Sequence, residues 1–173
     1  EHEHHWLRRL GARGVVPREY GMYHGSRHRY LVREMLDGET LAERMWRTWP
    51  WNVTVEPTDE ALDDYVRWAL ARLDEVAALV DVVHEEGGAI HDLHPGNLFL
   101  SDDGDVRLVD LENFTDVDTE SPPPVIAPEY LNPDGGDGYA RDAYAYRVLA
   151  HALFSPTLLG WQVPDRQEQV RAG

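Results

Sequence analysis

From residue 59 to about residue 84 the apolar positions fall at Leu62, Val66, Leu70, Leu73, Val76, Val80 and Val83. Steps of three and four place them on one face of a helix. Thr58 is a natural N-cap, Asp59 and Glu60 suit the positive end of the helix, and Gly87-Gly88 ends it. At ~1.5 Å per residue the helix is about 39 Å long. Upstream, residues 1–10 read as the end of a helix with Trp6, Leu7 and Leu10 on one face, followed by a breaker-rich turn from Gly11 to Pro17. Tyr20 to Tyr23 and Arg29 to Met35 read as two strands turned around His24-Gly25-Ser26. Asp37-Gly38 reads as a turn, Glu39 to Trp46 as a short helix, and Pro50 to Pro57 as irregular chain rich in Trp and Pro. Beyond the long helix, Leu98 to Leu100 and Val106 to Val109 form a hairpin around Asp102-Asp103-Gly104. Residues 112–139 are loop-like, and Asp142 to Phe154 returns to a helical pattern. The order of hairpin, helices, hairpin and helix is an α+β layout.

Composition narrows the setting. The chain has 173 residues, 42% of them apolar, with six Trp, which suits one domain with a sizeable core. It contains no Cys, so disulfides, thiolate metal sites and thiol nucleophiles are excluded. With no signal peptide and no membrane-spanning apolar run, a cytoplasmic location without a membrane partner is expected. A net charge of −16 opposes binding to a phosphate backbone, so no nucleic-acid partner is expected. Asn52-Val53-Thr54 is formally a glycosylation sequon and is read as chance. The chain has no Lys.

The densest chemistry lies between the long helix and the second hairpin, in Ile90-His91-Asp92-Leu93-His94-Pro95-Gly96-Asn97. Asp-x-x-x-x-Asn is weak alone, but Asp110 stands thirteen residues after Asn97 at the end of a strand. Phosphoryl transfer needs an acceptor-only side chain beside the attacking hydroxyl, which Asp92 supplies. It also needs hard oxygen ligands for Mg2+, which Asn97 and Asp110 supply. The bland alternative is that Asp92, Asn97 and Asp110 are turn residues. His94 is either a contact to the transferred phosphate or a surface His. Glu112 is read as loop solvation in preference to a second metal ligand. The run Glu1-His2-Glu3-His4-His5 is read as solvated helix surface in preference to a metal cluster. Trp46, Trp49 and Trp51 are read as cover for the core beside the long helix in preference to a peptide-docking patch. Pro122-Pro123-Pro124 is read as stiffening its loop.

The pieces D-L-H-P-G-N, V-R-L-V-D-L-E, A-P-E and R-D-A-Y-A-Y-R-V-L-A-H-A-L-F-S-P-T-L-L resemble the kinase domain of class III and class IV lanthipeptide synthetases. Gly14 to Arg18 and Tyr30 to Leu41 look like the hinge side of that family. The resemblance implies a protein-kinase-like fold, with residues 1–36 as part of the N-lobe and 37–173 as a truncated C-lobe. It implies ATP or another NTP with Mg2+, and Ser/Thr phosphorylation of a precursor peptide as the first step of dehydration. Lyase and cyclase domains would share the polypeptide. Asp92 would face the substrate hydroxyl, with His94 near the phosphate, and Asn97 and Asp110 would hold the metal. Glu3 would be the helical partner of a phosphate-binding Lys, Glu34 and Met35 would meet adenine through their backbone, and Glu39 would reach the ribose. Glu129 would anchor the end of the activation segment, and Asp142 would brace the catalytic loop by accepting backbone N–H bonds.

Departures from that pattern are as informative. No Gly-rich loop and no strand Lys are present, so the chain is expected to be a piece of a larger protein and inactive alone. His91 stands where an Arg is usual, and Arg33 puts a charge at the back of the nucleotide pocket. Two other functions compete. An aminoglycoside-type phosphotransferase usually carries His two residues before the Asp, where this chain has Ile90, and lacks the Ala127-Pro128-Glu129 seen here. A non-catalytic pseudokinase fits the missing Lys but not the intact Asp92, Asn97 and Asp110.

Overall fold

The computed structural model describes residues 2–102, 104–119 and 128–155. Glu1, Asp103, Pro122 to Pro124, Ala127 and Pro156 to Leu159, all named above, lie outside the described residues. Helix α1 (His2–Leu10) is followed by a single 3-10 turn and by strands β1 (Glu19–His24) and β2 (Arg29–Arg33), which pair antiparallel. Then come β3 (Gly38–Thr40), α2 (Leu41–Thr48), α3 (Pro50–Val53) and the long α4 (Asp59–Glu85). Strand β4 (Gly88–Ala89) leads into the motif loop, and β5 (Leu98–Ser101) and β6 (Val106–Leu108) form the second hairpin. Strand β7 (Thr115–Asp116) and α5 (Gly138–Phe154) complete the chain. The sheets are small and antiparallel: β1-β2, β3-β5-β6 and β4-β7.

Several expectations are corrected. The start of the stretch Pro50 to Pro57, expected to be irregular, forms the short helix α3, since Pro50 fits the first helical turn. The helix expected from Glu39 begins at Leu41, because Thr40 is extended and forms a capping box with Glu43. The Thr40 side chain accepts from the Glu43 N–H while the Glu43 carboxylate takes the Thr40 N–H. The residues before it, expected as a turn, pair with β5. Gly38 (φ 142°) permits this, since a Cβ there would lie 2.1 Å from the Leu100 carbonyl oxygen. The helix expected from Asp142 starts at Gly138, N-capped by Asp137. A Cβ at Gly138 would lie 2.4 Å from the Ala89 Cβ, so the small residue lets α5 reach β4.

A further correction concerns the buried face of α4. Its second half packs as expected, through Leu73, Val76, Val80 and Val83. In the first half Val66 and Leu70 turn toward solvent, and Tyr65 and Ala69 are buried in their place. Hydropathy favours Val and Leu, but Tyr65 fits because its hydroxyl donates to the Leu153 carbonyl at 2.8 Å. Burial holds that phenol well above its ordinary pKa. Trp49 stacks edge-on against Tyr65 at 5.0 Å, so it covers the core beside α4, while Trp51 stays half exposed. One buried cluster runs from Trp6, Leu7 and Leu10 of α1 through α4 to Leu149 and Leu153 of α5. The motif loop is carried on this continuous core.

Candidate active site

The loop after β4 is held from below by Asp142, whose carboxylate is fully buried. One of its oxygens accepts the Ile90 N–H at 2.8 Å and the other the His91 N–H at 2.7 Å. His84 of α4 adds its ring Nε2 at 2.9 Å. These bonds hold His91 at φ 63°, a left-handed conformation that a side chain disfavours. The brace that the family resemblance implies for Asp142 is therefore present in full.

His91 is buried and its Nε2 lies 2.7 Å from the Thr115 hydroxyl. That hydroxyl donates its one proton to the Asp116 carbonyl, so His91 Nε2 is the donor to it. Burial, which outweighs the nearby Asp142, keeps its pKa below the ordinary value.

Asp92 sits at the centre of the loop with its side chain mostly covered. The Asn97 amide donates to the Asp92 carbonyl at 3.1 Å and to its Oδ2 at 3.3 Å. Asn113 donates to the same Oδ2 at 3.2 Å. The His94 ring accepts the Gly96 N–H at Nδ1, which puts the ring proton on Nε2, 3.7 Å from Asp92 Oδ2. Burial lowers the His94 pKa despite the opposing charges of Asp92, Glu129 and Asp110. The structure thus gathers Asp92, His94 and Asn97 into one cluster.

Asp110 follows β6 and is exposed. The Val109 N–H donates to the Asn97 carbonyl at 3.1 Å, which ties the residue before Asp110 to the loop. Because the Asn97 nitrogen is spent on Asp92, its amide oxygen is left as the ligand atom. One Asp110 oxygen accepts the Glu112 N–H at 3.1 Å. An amide oxygen and a carboxylate are a donor set that suits Mg2+, with phosphates and water filling its remaining positions.

The other half of the expected site is differently arranged. Arg33 donates to Glu3 at 2.6 Å and to the Val109 carbonyl at 2.7 Å, so Glu3 is tied to the strand end just before Asp110. Glu34 donates its N–H to the Arg18 carbonyl, which leaves its own carbonyl for any adenine contact. Its carboxylate accepts from the Arg18 N–H and from Arg107, and lies below its ordinary pKa mainly through the first of these. Met35 is 88% exposed. Glu39 is engaged by Arg44 and Arg47 of α2; burial raises its pKa, but the two arginines outweigh it and the net shift is downward. Any ribose contact from Glu39 must displace them.

In the His-rich start, His2 bonds to the Phe114 carbonyl and His4 to Glu19, so both are tied to neighbouring elements. Among the described residues no group of three or more acidic or His side chains is placed to hold a metal. Glu129 is exposed in the short turn Pro128–Tyr130. An apolar cavity of about 450 Å³ between α2, α3 and α4, floored by Tyr65 and Trp68, is lined by none of the loop residues.

Sequence reasoning missed Asn113 and Thr115. It weighed Glu112, which is exposed, whereas its neighbour Asn113 is buried against Asp92. A buried amide three residues after Asp110 carries no periodic signal; only the fold shows where it points.

No protein-family model matches the chain. Serine/threonine-protein kinase PknL of Mycobacterium tuberculosis (strain ATCC 25618 / H37Rv) is 29% identical over 156 residues, 85% of this chain and 35% of that protein. Rho-associated protein kinase 1 of Homo sapiens is 28% identical over 126 residues, 68% of this chain and 8% of that protein. The chain therefore spans about a third of the first and under a tenth of the second. These distant likenesses and the helix-and-small-sheet architecture make this an α+β, partial protein-kinase-like fold. Among the described residues no helix is long and apolar enough to cross a membrane.

Proposed function

We propose that this chain forms the catalytic-loop side of an ATP- and Mg2+-dependent phosphotransferase that phosphorylates Ser or Thr in a peptide. The observation that carries the reading is the Asp92 carboxylate held by Asn97 and Asn113, with neutral His94 beside it and Asp110 tied in through Val109. In the reaction the acceptor hydroxyl oxygen bonds to the γ-phosphorus, the bond from that phosphorus to the β-bridging oxygen breaks, and the hydroxyl proton passes to Asp92. His94 offers an N–H to the transferring group without adding a fixed charge. Asn97 and Asp110 offer oxygen ligands; when bound, Mg2+ screens the charge between phosphates and carboxylates. The finer reading is the kinase step of lanthipeptide dehydration, with lyase and cyclase domains in the same polypeptide. It is supported by Asp-Leu-His-Pro-Gly-Asn, by Asp110-Leu111-Glu112 and by the α5 sequence that runs into Leu-Phe-Ser-Pro-Thr.

The test is ATP-dependent phosphorylation of Ser/Thr peptides by the native full-length protein, with and without Asp92→Asn. A loss of ~10²–10⁴-fold in transfer, with nucleotide binding kept, is expected. Full activity of Asp92→Asn would remove the reading. Phosphorylation of a small molecule and of no peptide would move it to an aminoglycoside-type enzyme. Phosphorylation of peptides other than lanthipeptide precursors alone would remove only the finer part.

A further inference from the structure

Asn113 lies three residues beyond Asp110, in the turn that leads to β7. It is 8% exposed, and its amide nitrogen donates to Asp92 Oδ2 at 3.2 Å. The same oxygen accepts from Asn97 at 3.3 Å. Asn97 belongs to the loop itself, five residues after Asp92, and its amide also bonds the Asp92 backbone carbonyl. Asn113 comes from the opposite side, on the segment that carries Asp110. The two amides fix the plane of one carboxylate from two separate stretches of chain. Phe114, next to Asn113, is buried against Trp6 of α1 at 5.7 Å, and Thr115, beyond it, pairs with β4 and bonds His91. The backbone of Asn113 is thus anchored on its C-terminal side, which fixes the point from which its amide reaches Asp92.

We propose that Asn113 is a positioning residue that sets the orientation of Asp92 toward the acceptor hydroxyl and couples it to the segment bearing Asp110. The proposal rests on the phosphotransferase reading. Misplacing a reacting group by about 1 Å can cost ~10²-fold, so loss of one of two anchors should lower the rate of transfer and spare ground-state binding.

The experiment uses the native full-length protein with Mg-ATP and a Ser/Thr acceptor peptide. Asn113→Leu keeps the branched shape and removes the donor; Asn113→His returns a ring N–H on the atom next to Cγ. The expected result is a fall in kcat of ~10–10²-fold for Asn113→Leu with unchanged KM values. Substantial recovery in Asn113→His is also expected. A second readout is the 13C shift of the Asp92 carboxyl, assigned by its loss in Asp92→Asn. It should move in Asn113→Leu and return toward wild type in Asn113→His. If Asn113→Leu transfers phosphate at the wild-type rate, or if its carboxyl shift matches wild type, the proposal is overturned. If Asn113→Leu does not fold, Asn113→Ala, which removes the donor without adding bulk, decides: a lowered kcat with unchanged KM and a moved carboxyl shift supports the anchor, and the wild-type rate or shift overturns it. If the wild-type protein transfers phosphate to no hydroxyl at all, the phosphotransferase reading falls and takes the assignment with it, even where the carboxyl shift responds.

Discussion

The loop around Asp92 and the hairpin β1–β2 are held together by opposite means. The loop is short and irregular, yet its backbone is pinned by a fully buried carboxylate, two buried histidine and asparagine side chains, and a strand pair. The hairpin pairs in regular register from Gly21↔Val32 to His24↔Arg29, with a bulge between Glu19 and Gly21, yet both strands are largely exposed. Its links to the rest of the molecule are mainly polar: the Arg33–Glu3 ion pair, the hydrogen bonds of Arg33 to the Val109 carbonyl and of His4 with Glu19, and, just beyond β2, Glu34–Arg107; Leu31 adds a partly buried contact with the core. Regular secondary structure is therefore a poor guide to rigidity here. Burial and hydrogen bonding of buried groups are what resist motion, and the loop has more of both than the hairpin.

The strongest challenge to that contrast is removal of Asp142. Asp142→Ala leaves the Ile90 and His91 N–H groups buried without an acceptor and removes the support for a left-handed His91. Each unmet buried donor costs ~1–3 kcal/mol, so a loss of about 3 kcal/mol or more is expected. Asp142→Asn, which keeps one acceptor oxygen, should lose less. Thermal unfolding gives the total, and amide hydrogen exchange at Ile90 and His91 locates it. Exchange at those two amides that stays as slow as in wild type would show that the loop does not depend on this brace.

A second test uses pH. His91 and His94 both have folded pKa values below the ordinary 6.5, mainly through burial. Between each lowered value and 6.5 the unfolded chain binds more protons than the folded one. Stability therefore rises with pH through this window, is complete above 6.5, and is lost as pH falls below it. Unfolding midpoints should drop as the pH is taken from about 7 to about 5, and part of that slope should vanish in His91→Gln or His94→Gln. A slope unchanged in both variants would place the acid sensitivity elsewhere and weaken the contrast, since the hairpin would then share it.

How much of this was legible in the sequence depends on the kind of interaction. The second half of α4, the hairpins and the motif loop were legible, because periodicity, turn residues and an unusual set of polar side chains mark them locally. The first half of α4 was not, because Tyr65 and Val66 compete for one face and the choice is made by Leu153, 88 residues away. Strands β3, β4 and β7 have two or three residues each, too few for a period to show. The capping box Thr40-Leu-Ala-Glu43 was a signal that could have placed the start of α2. The Arg33–Glu3 and Glu39–Arg47 pairs were invisible because any of many arginines could have met those carboxylates. Chemistry was legible where residue types are restrictive, as at Asp92, Asn97 and Asp110, and illegible where an ordinary amide such as Asn113 acquires a role from its position.

The smallest effect belongs to the hairpin. Glu34 accepts from the Arg18 N–H at 2.9 Å and from Arg107 at 3.1 Å, with the Arg107 and Glu34 side chains 21% and 28% exposed. Glu34→Gln keeps an oxygen for the Arg18 N–H and removes the charge that faces Arg107. Partly exposed pairs of this kind contribute ~0–1 kcal/mol, so the loss should be under about 1 kcal/mol and should shrink as salt is added. The Glu34 carboxyl lies below its ordinary pKa of 4.5, chiefly through the Arg18 N–H, against burial and with Arg107 assisting. Its contribution is therefore present above 4.5 and lost as pH falls through the folded value, a window separate from that of the histidines. Thermal unfolding at low and high salt, with wild type and Glu34→Gln side by side, measures it. A loss as large as that of Asp142→Ala, insensitive to salt, would mean that the hairpin is anchored as firmly as the loop, and the distinction between the two regions would collapse.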